Sequence, residues 1–390
     1  MQSPKNTEFD RSNWLQAPVN RASFQAVQNL FPTARIKRGQ GPISSFELKT
    51  MDILSQTYND TRMGNQSFAA MLERTYTDAF LVAQDGLLIC EEYFNGMQSD
   101  SQHLLNSVSK SFLGMLVGIL VADGRVDPEA KVTTYLPELA DTAFASATVQ
   151  TALDMTAAVD YSEDYDSPSD DFWAETSVLG WVAWQHGGEV PASLHDYLLG
   201  RKQASHAELE QFHYRTVLTN LLAFIVQRVT GKSPAVVMQE RLWQPLGPEQ
   251  DAAVVVDGKG FPYFGAGMNT CARDLLRFGE MLRLDGYFNG QQIVPADWVR
   301  RTLAGNAELR ELFAASDYAG LFANGHYHNQ VWADASAGTL MCIGIYGQTI
   351  YIDKAARLVV VKLSSHPQPA NLSIFGATWS GLNALSQRLA

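Results

Sequence analysis

The chain has 390 residues, 46% of them hydrophobic and 18% charged, enough apolar material for one large domain or two to three average ones. Its 41 acidic and 29 basic residues give a formal charge of −12 and a pI of about 5.1, so the phosphate-neutralising surface that nucleic-acid binding requires is not expected. Cys90, Cys271 and Cys342 are too few and too scattered for a disulfide framework or a thiolate metal site, and read as small buried hydrophobes.

Along the chain, the first forty residues mix charged and polar side chains and hold no apolar core of a signal peptide, which predicts a cytoplasmic location. Residues 78 to 95, "DAFLVAQDGLLICEEYFN", are two β-rich runs about Asp85-Gly86, a strong hairpin signal. In "HLLNSVSKSFLGMLVGILVADGRVD", residues 103 to 127, a polar start gives way to an apolar run from Phe112 to Ala122. That run is short of the roughly 18 to 20 residues that span a bilayer, so it is a core helix and no membrane partner is expected.

Residues 106 to 264 are dominated by helical patterns and loops. "VDYSEDYDSPSDD" carries Asp160, Glu163, Asp164, Asp166, Asp170 and Asp171 around Tyr165 and reads as a polar loop and a plausible lid. Its acids either form a solvated face or greet a cationic amine on a substrate. Trp173, Trp181 and Trp184 are candidates for core or for an apolar substrate wall. In "TVLTNLLAFIVQRVTG", Val217, Leu218, Leu221, Leu222, Ile225 and Val229 recur at helical spacing and Gly231 suits a helix stop. After the amphipathic "GAGMNTCARDLLRFGEMLRLDG" the chain returns to strands in "TLMCIGIYGQTIYIDKAARLVVVKLSSH", two extended runs about Asp353-Lys354. Strands near both ends with helices between them predict an α/β (α+β) architecture. An antiparallel sheet flanked by helices would be built from residues 1–125 and 265–390, with a mostly helical insert at 126–264.

The polar start of the apolar helix carries chemistry. Ser107 and Lys110 are spaced i, i+3, which puts their side chains on one face, one turn apart. At the first turn Ser107 meets the positive end of the helix dipole, and burial of Lys110 would push its pKa down and leave a neutral amine able to accept a proton. A cap and a surface lysine would give the same four residues. A second polar group is needed to carry the proton to the leaving group, and Tyr214, immediately before a helix in "FHYRTVLTN", is suited to it.

The order S-x-x-K, then Tyr-x-polar, then a Gly-containing late strand resembles the serine β-lactamase and penicillin-binding-protein superfamily, in its class C and esterase-like branch. "SVSKSF" followed by "DGRVD", "YRTVLTNLLAFIVQRVTGKS" and "GAGMNTCARDLLRFGEML" carry the likeness. Within that branch "RTYTDAFLV", "HLLNSVSKS", "DMTAAVDYSEDY", "GIYGQ", "VVVKLSS" and "NRASF" are most similar to the 6-aminohexanoate-dimer hydrolases. The resemblance implies a β-lactamase/transpeptidase-like fold, Ser107 as nucleophile, Lys110 as its base and Tyr214 as proton relay. It also implies an oxyanion hole from the N–H groups of Ser107 and Ile345, and Tyr165 as a loop residue closing on substrate. Thr216, Tyr346 and Gly347 occupy positions that contact substrate in the family.

Two positions depart from the β-lactamase pattern. Where a K-T-G or H-x-G motif is expected the chain reads Tyr346-Gly347, with no cation, and Thr216 stands where β-lactamases carry asparagine. Both point away from β-lactams and towards an amidase or esterase acting on a small amide or ester. A β-lactamase or DD-peptidase, and a penicillin-recognising sensor that acylates without turnover, are the alternatives. His326 and His328 have no acidic or cysteine partner at metal spacing, and His103 and His213 read as structural, so no metal or cofactor is expected. The sequence leaves a homodimer open.

Overall fold

A computed structural model of the chain describes residues 8–60, 62–202, 204, 206–322 and 324–390. Among the described residues the larger sheet has eight strands. Their order is Gly325–His328, Val331–Asp334, Thr339–Gly344, Gln348–Asp353, Leu358–Ser364, Thr77–Gln84, Leu87–Tyr93 and Glu47–Leu48. Neighbours run antiparallel except at the last pair, which is parallel. The seam between the two halves of the chain is central: Val361 pairs with Leu81 and Val359 with Ala83.

The expected hairpin turns at Asp85 and Gly86, whose φ values of 52° and 79° are those of a type I′ turn. The stretch expected as two runs about Asp353-Lys354 forms three strands. Its first run breaks at Ile345–Gly347, where Tyr346 takes φ 62° and Gly347 φ 92°, a left-handed kink that strand geometry cannot absorb.

Alternation along Gln348–Asp353 assigns the helices to faces. Ile350 meets Gly279 of the helix Ala272–Arg283, where an added Cβ would also lie 2.5 Å from Val359. Tyr351 and Asp353 point the other way, to Trp379 and Ser386 of the helix Leu372–Leu389. Phe112 of the helix Val108–Ala122 stacks on Phe278 with ring centroids 3.8 Å apart, joining that helix to the Ala272–Arg283 layer. Val108–Ala122 is apolar all round from Phe112 onward and buried from Val108 through Leu120, as a core helix must be. Its glycines Gly114 and Gly118, one turn apart, let the Asn329 backbone and the Trp298 ring approach its axis.

Between residues 126 and 264 helices dominate, the longest being Thr216–Thr230, which ends at Gly231 with φ 68°. The strand Ala252–Val255 in this stretch joins a smaller sheet with Thr33–Ile36, Met268–Thr270 and His103–Leu104. Among the described residues no single helix is long and apolar enough to cross a membrane. All three cysteines are buried and unpaired.

Candidate active site

The chain enters the apolar helix through a sharp turn. Leu104 ends a short strand of the smaller sheet, Asn106 adopts φ 47°, and Ser107 becomes the helix N-cap. Asparagine tolerates this left-handed geometry better than most residues. Its side chain also works outward: Nδ2 donates to the Ile345 carbonyl at 3.1 Å, tying the end of the strand Thr339–Gly344 to the serine turn. Neither the Ser107 N–H nor the Ile345 N–H donates a hydrogen bond among the described residues.

Lys110 is fully buried. Its Nζ donates to Ser107 Oγ at 2.8 Å and to the Gly265 carbonyl at 2.7 Å. Burial pushes the lysine pKa down to about 8, with Glu163 and Glu175 opposing the shift. The Tyr214 ring lies 5.0 Å from Nζ and its hydroxyl interacts with those of Ser107 and Tyr327. Tyr214 is held by stacking on Trp332, centroids 5.3 Å apart and planes 18° apart. Burial raises its pKa well above the ordinary tyrosine value, so it stays a phenol and can donate as well as accept. Serine, amine and phenol thus lie together at the foot of a cavity.

The cavity holds about 230 Å³ and is walled by Tyr165, Trp332, Ile343, Gly344 and Phe375 besides Ser107 and Tyr214. Asp317, exposed, sits at its rim. His366 also contributes to the wall, with an Nε2 that has no partner. Burial and the neighbouring Lys362 hold its imidazole neutral, well below the ordinary histidine pKa.

Of the residues singled out in the sequence, Ser107, Lys110, Tyr214, Ile345, Tyr165 and Gly347 come together here. Gly347 is needed as glycine, because a Cβ on it would overlap the His366 ring. Tyr346 and Thr216 do not face the cavity. The left-handed backbone at Tyr346 turns its ring into the core against Phe24, centroids 5.0 Å apart. Thr216 is buried and spends both its N–H and its hydroxyl on Glu163, at 2.7 and 2.8 Å. None of Trp173, Trp181 and Trp184 lines the cavity; Trp181 packs in the core against Trp14 and Tyr263. His103 is buried between Asp78 and its own neighbour's carbonyl, a structural position.

Two contributors, Trp332 and Asn106, escaped sequence reading, and a third, Glu163, was read only as a solvated or amine-facing acid. Trp332 lies on a strand with no distinguishing motif. Asn106 had a usable signal, an asparagine between a short strand and a helix, which marks a left-handed turn. Glu163 belongs to the acidic loop but turns inward: its residue is only part-buried while its carboxylate is buried and accepts from Thr216 and, at 2.6 Å, from the Tyr165 hydroxyl. Glu175 is buried behind it, bonded to Tyr161 at 2.7 Å and to Asn220, and burial raises its pKa to about 8.

A serine hydroxyl held by a buried lysine, with a tyrosine beside both on a mixed α/β scaffold, defines a serine hydrolase of the S-x-x-K kind. The chain belongs to the β-lactamase family, whose pattern it matches over residues 65–378. It is 35% identical over 358 residues to the 6-aminohexanoate-dimer hydrolase of Paenarthrobacter ureafaciens, covering 92% of this chain and 88% of that one. It is 26% identical over 324 residues to esterase EstB of Burkholderia gladioli, covering 69% and 78%. Among solved structures, a Bacillus anthracis protein provisionally assigned as a 6-aminohexanoate-dimer hydrolase superimposes with a TM-score of 0.89 at 28% identity, over 100% of this chain and 99% of that one. A family VIII carboxylesterase shares the fold, with a TM-score of 0.60 at 16% identity over 83% and 95% of the two chains.

Proposed function

We propose that the protein hydrolyses a linear amide or carboxylic ester through an acyl-Ser107 intermediate, in the manner of a 6-aminohexanoate-dimer hydrolase. The observation that carries this reading is the 2.8 Å contact between Lys110 Nζ and Ser107 Oγ, made by a lysine whose burial lowers its pKa to about 8.

In this mechanism the neutral Lys110 amine takes the Ser107 proton as Oγ attacks the substrate carbonyl carbon. The carbonyl oxygen, now negative, is received by the N–H groups of Ser107 and Ile345, where donors positioned in advance are worth several kcal/mol. Tyr214 passes a proton to the departing nitrogen or oxygen as the scissile bond breaks. A water then attacks the acyl-serine by the reverse proton path and frees the acid. Tyr165 covers the cavity from the acidic loop, which belongs to the insert at 126–264; residues 1–125 with 265–390 supply the nucleophile and the sheet edge.

The cavity wall favours acyclic substrates over β-lactams, because the strand position that carries a cation in β-lactamases is Tyr346, whose ring packs on Phe24. The reading includes residence in the cytoplasm, which three unpaired, buried cysteines favour.

The test is turnover of p-nitrophenyl butyrate, 6-aminohexanoate dimer and nitrocefin, combined with intact-protein mass spectrometry, for wild type and Ser107→Ala. Ester or dimer hydrolysis that vanishes in Ser107→Ala is expected, with nitrocefin untouched. Activity that survives the substitution would remove Ser107 as nucleophile, and a stable nitrocefin adduct without turnover would replace the hydrolase with a penicillin sensor.

A further inference from the structure

The helix Thr216–Thr230 begins without a cap of its own: its N-cap residue, Arg215, makes no side-chain hydrogen bond to the first turn. Its guanidinium is turned back to the carbonyls of Ala157 and Tyr161. The first N–H is satisfied from far upstream by Glu163, whose two carboxylate oxygens take the Thr216 N–H at 2.7 Å and hydroxyl at 2.8 Å. A carboxylate at this place is favoured by the positive end of a helix of this length. The oxygen that accepts from the Thr216 hydroxyl also accepts from Tyr165 at 2.6 Å. Three donors therefore converge on one buried carboxylate and link the loop with Tyr165 to the helix start that follows Tyr214; Lys110 is one contact further on, its Nζ held at 2.7 Å by the carbonyl of Gly265, where an added Cβ would lie 2.5 Å from the Thr216 methyl.

We propose that Glu163 is a positioning residue with two effects, pinning the Tyr165 loop to the first turn of the Thr216–Thr230 helix and setting how readily Lys110 gives up its proton. The proposal rests on Lys110 acting as the base of Ser107. Glu163 touches no reacting atom; it acts through Tyr165, Thr216 and Lys110.

The charges around the pair are few. Lys110 faces Glu163 and Glu175. Glu163 faces Lys110, Glu175 and Arg215, with the phenols of Tyr165, Tyr214 and Tyr318 around it. Glu175 is held by Tyr161 and Asn220, and burial lifts its pKa to about 8, so it is protonated at neutral pH. Burial raises the Glu163 pKa too, and Lys110 with the three donors opposes that, favouring the carboxylate. Burial is the main cause that lowers the Lys110 pKa, and Glu163 is the foremost carboxylate that opposes it. An anion nearby favours the ammonium, so the residue that shuts the cavity also restrains the base.

The experiment is the pH dependence of kcat/KM for p-nitrophenyl butyrate in wild type, Glu163→Gln and Glu163→Asp, with hydrogen exchange of residues 160–170 followed in parallel. Glu163→Gln is expected to move the acid limb about one unit to lower pH and to speed exchange in the loop, while Glu163→Asp, which keeps the charge, retains the wild-type limb. A purely structural residue would lower activity without moving the limb. An unmoved limb in Glu163→Gln, or the same displacement in both variants, overturns the electrostatic effect, and unchanged loop exchange overturns the latch. If Glu163→Gln does not fold, Thr216→Val removes one donor without altering charge. It is then expected to speed loop exchange with the limb in place, and a displaced limb or unaltered exchange overturns the proposal. Wild-type turnover that persists in Ser107→Ala overturns the serine–lysine reading itself, a result separate from all of these.

Discussion

A Cβ on Gly344 would lie 3.0 Å from the Ser107 nitrogen and 2.6 Å from the Leu105 carbonyl oxygen, so the end of the strand and the serine turn are in backbone contact. That closeness is what the proposed oxyanion hole, made by the Ser107 and Ile345 N–H groups, requires. Gly344→Ala is expected to push the two apart and reduce kcat on p-nitrophenyl butyrate by roughly 10²-fold, the usual cost of one oxyanion donor. The far-ultraviolet circular dichroism should stay that of wild type. An unaltered kcat would show that the Ile345 donor is not used.

Activity should depend on pH with a defined sign. The base must be neutral, and Lys110 is ammonium below about 8, so kcat/KM rises as pH passes upward through that value. A profile already flat from well below neutrality would exclude Lys110 as the titrating base.

The same burial has a cost in stability. Lys110 is pushed from 10.5 to about 8 in the fold, so between those values the unfolded chain binds more protons, and stability rises with pH across that window. Below it the penalty of the buried ammonium is complete. Lys110→Met should abolish acylation yet melt at neutral pH no lower than wild type, with a weaker rise in melting temperature between pH 8 and 10.5. Calorimetry at two pH values decides it; a melting temperature several degrees lower would make Lys110 a structural residue.

Two tyrosines should separate cleanly. Tyr214→Phe keeps the stack on Trp332 and is expected to lose roughly 10² to 10⁴ in kcat, the range for one acid–base group. Tyr346→Phe alters only a buried ring packed on Phe24 and should leave KM unchanged. A raised KM in Tyr346→Phe would return that hydroxyl to the substrate site.

Local geometry was the legible part. One helical turn brings Ser107 and Lys110 together whatever surrounds them, and the Asp85-Gly86 turn and the Thr216–Thr230 helix follow from backbone preference and periodicity. The substrate contact expected of Tyr346 came from the family's strand motif, and the left-handed backbone at Tyr346 and Gly347, invisible in a motif, turns its ring into the core. Glu163 was hidden for another reason. Nothing distinguishes it from Asp164 or Asp166 in composition, and its partner Thr216 is 53 residues away. Trp332 raises the same difficulty: which tryptophan faces a cavity depends on how strands pack, a property of the whole fold.

The pairing of Leu81 with Val361 bears on how the protein is made. A ribosome releases Thr77–Gln84 long before the strand that covers its edge, so the hairpin must wait with one side unpaired while most of the chain is synthesised. Such an edge can recruit strands from other molecules. The sheet closes only when Leu358–Ser364 arrives, and Ile345, the proposed oxyanion donor, belongs to the same late-made part of the chain. Nascent chains stalled before residue 358 should therefore be inactive and prone to association, and catalytic competence should appear as one late event in biosynthesis.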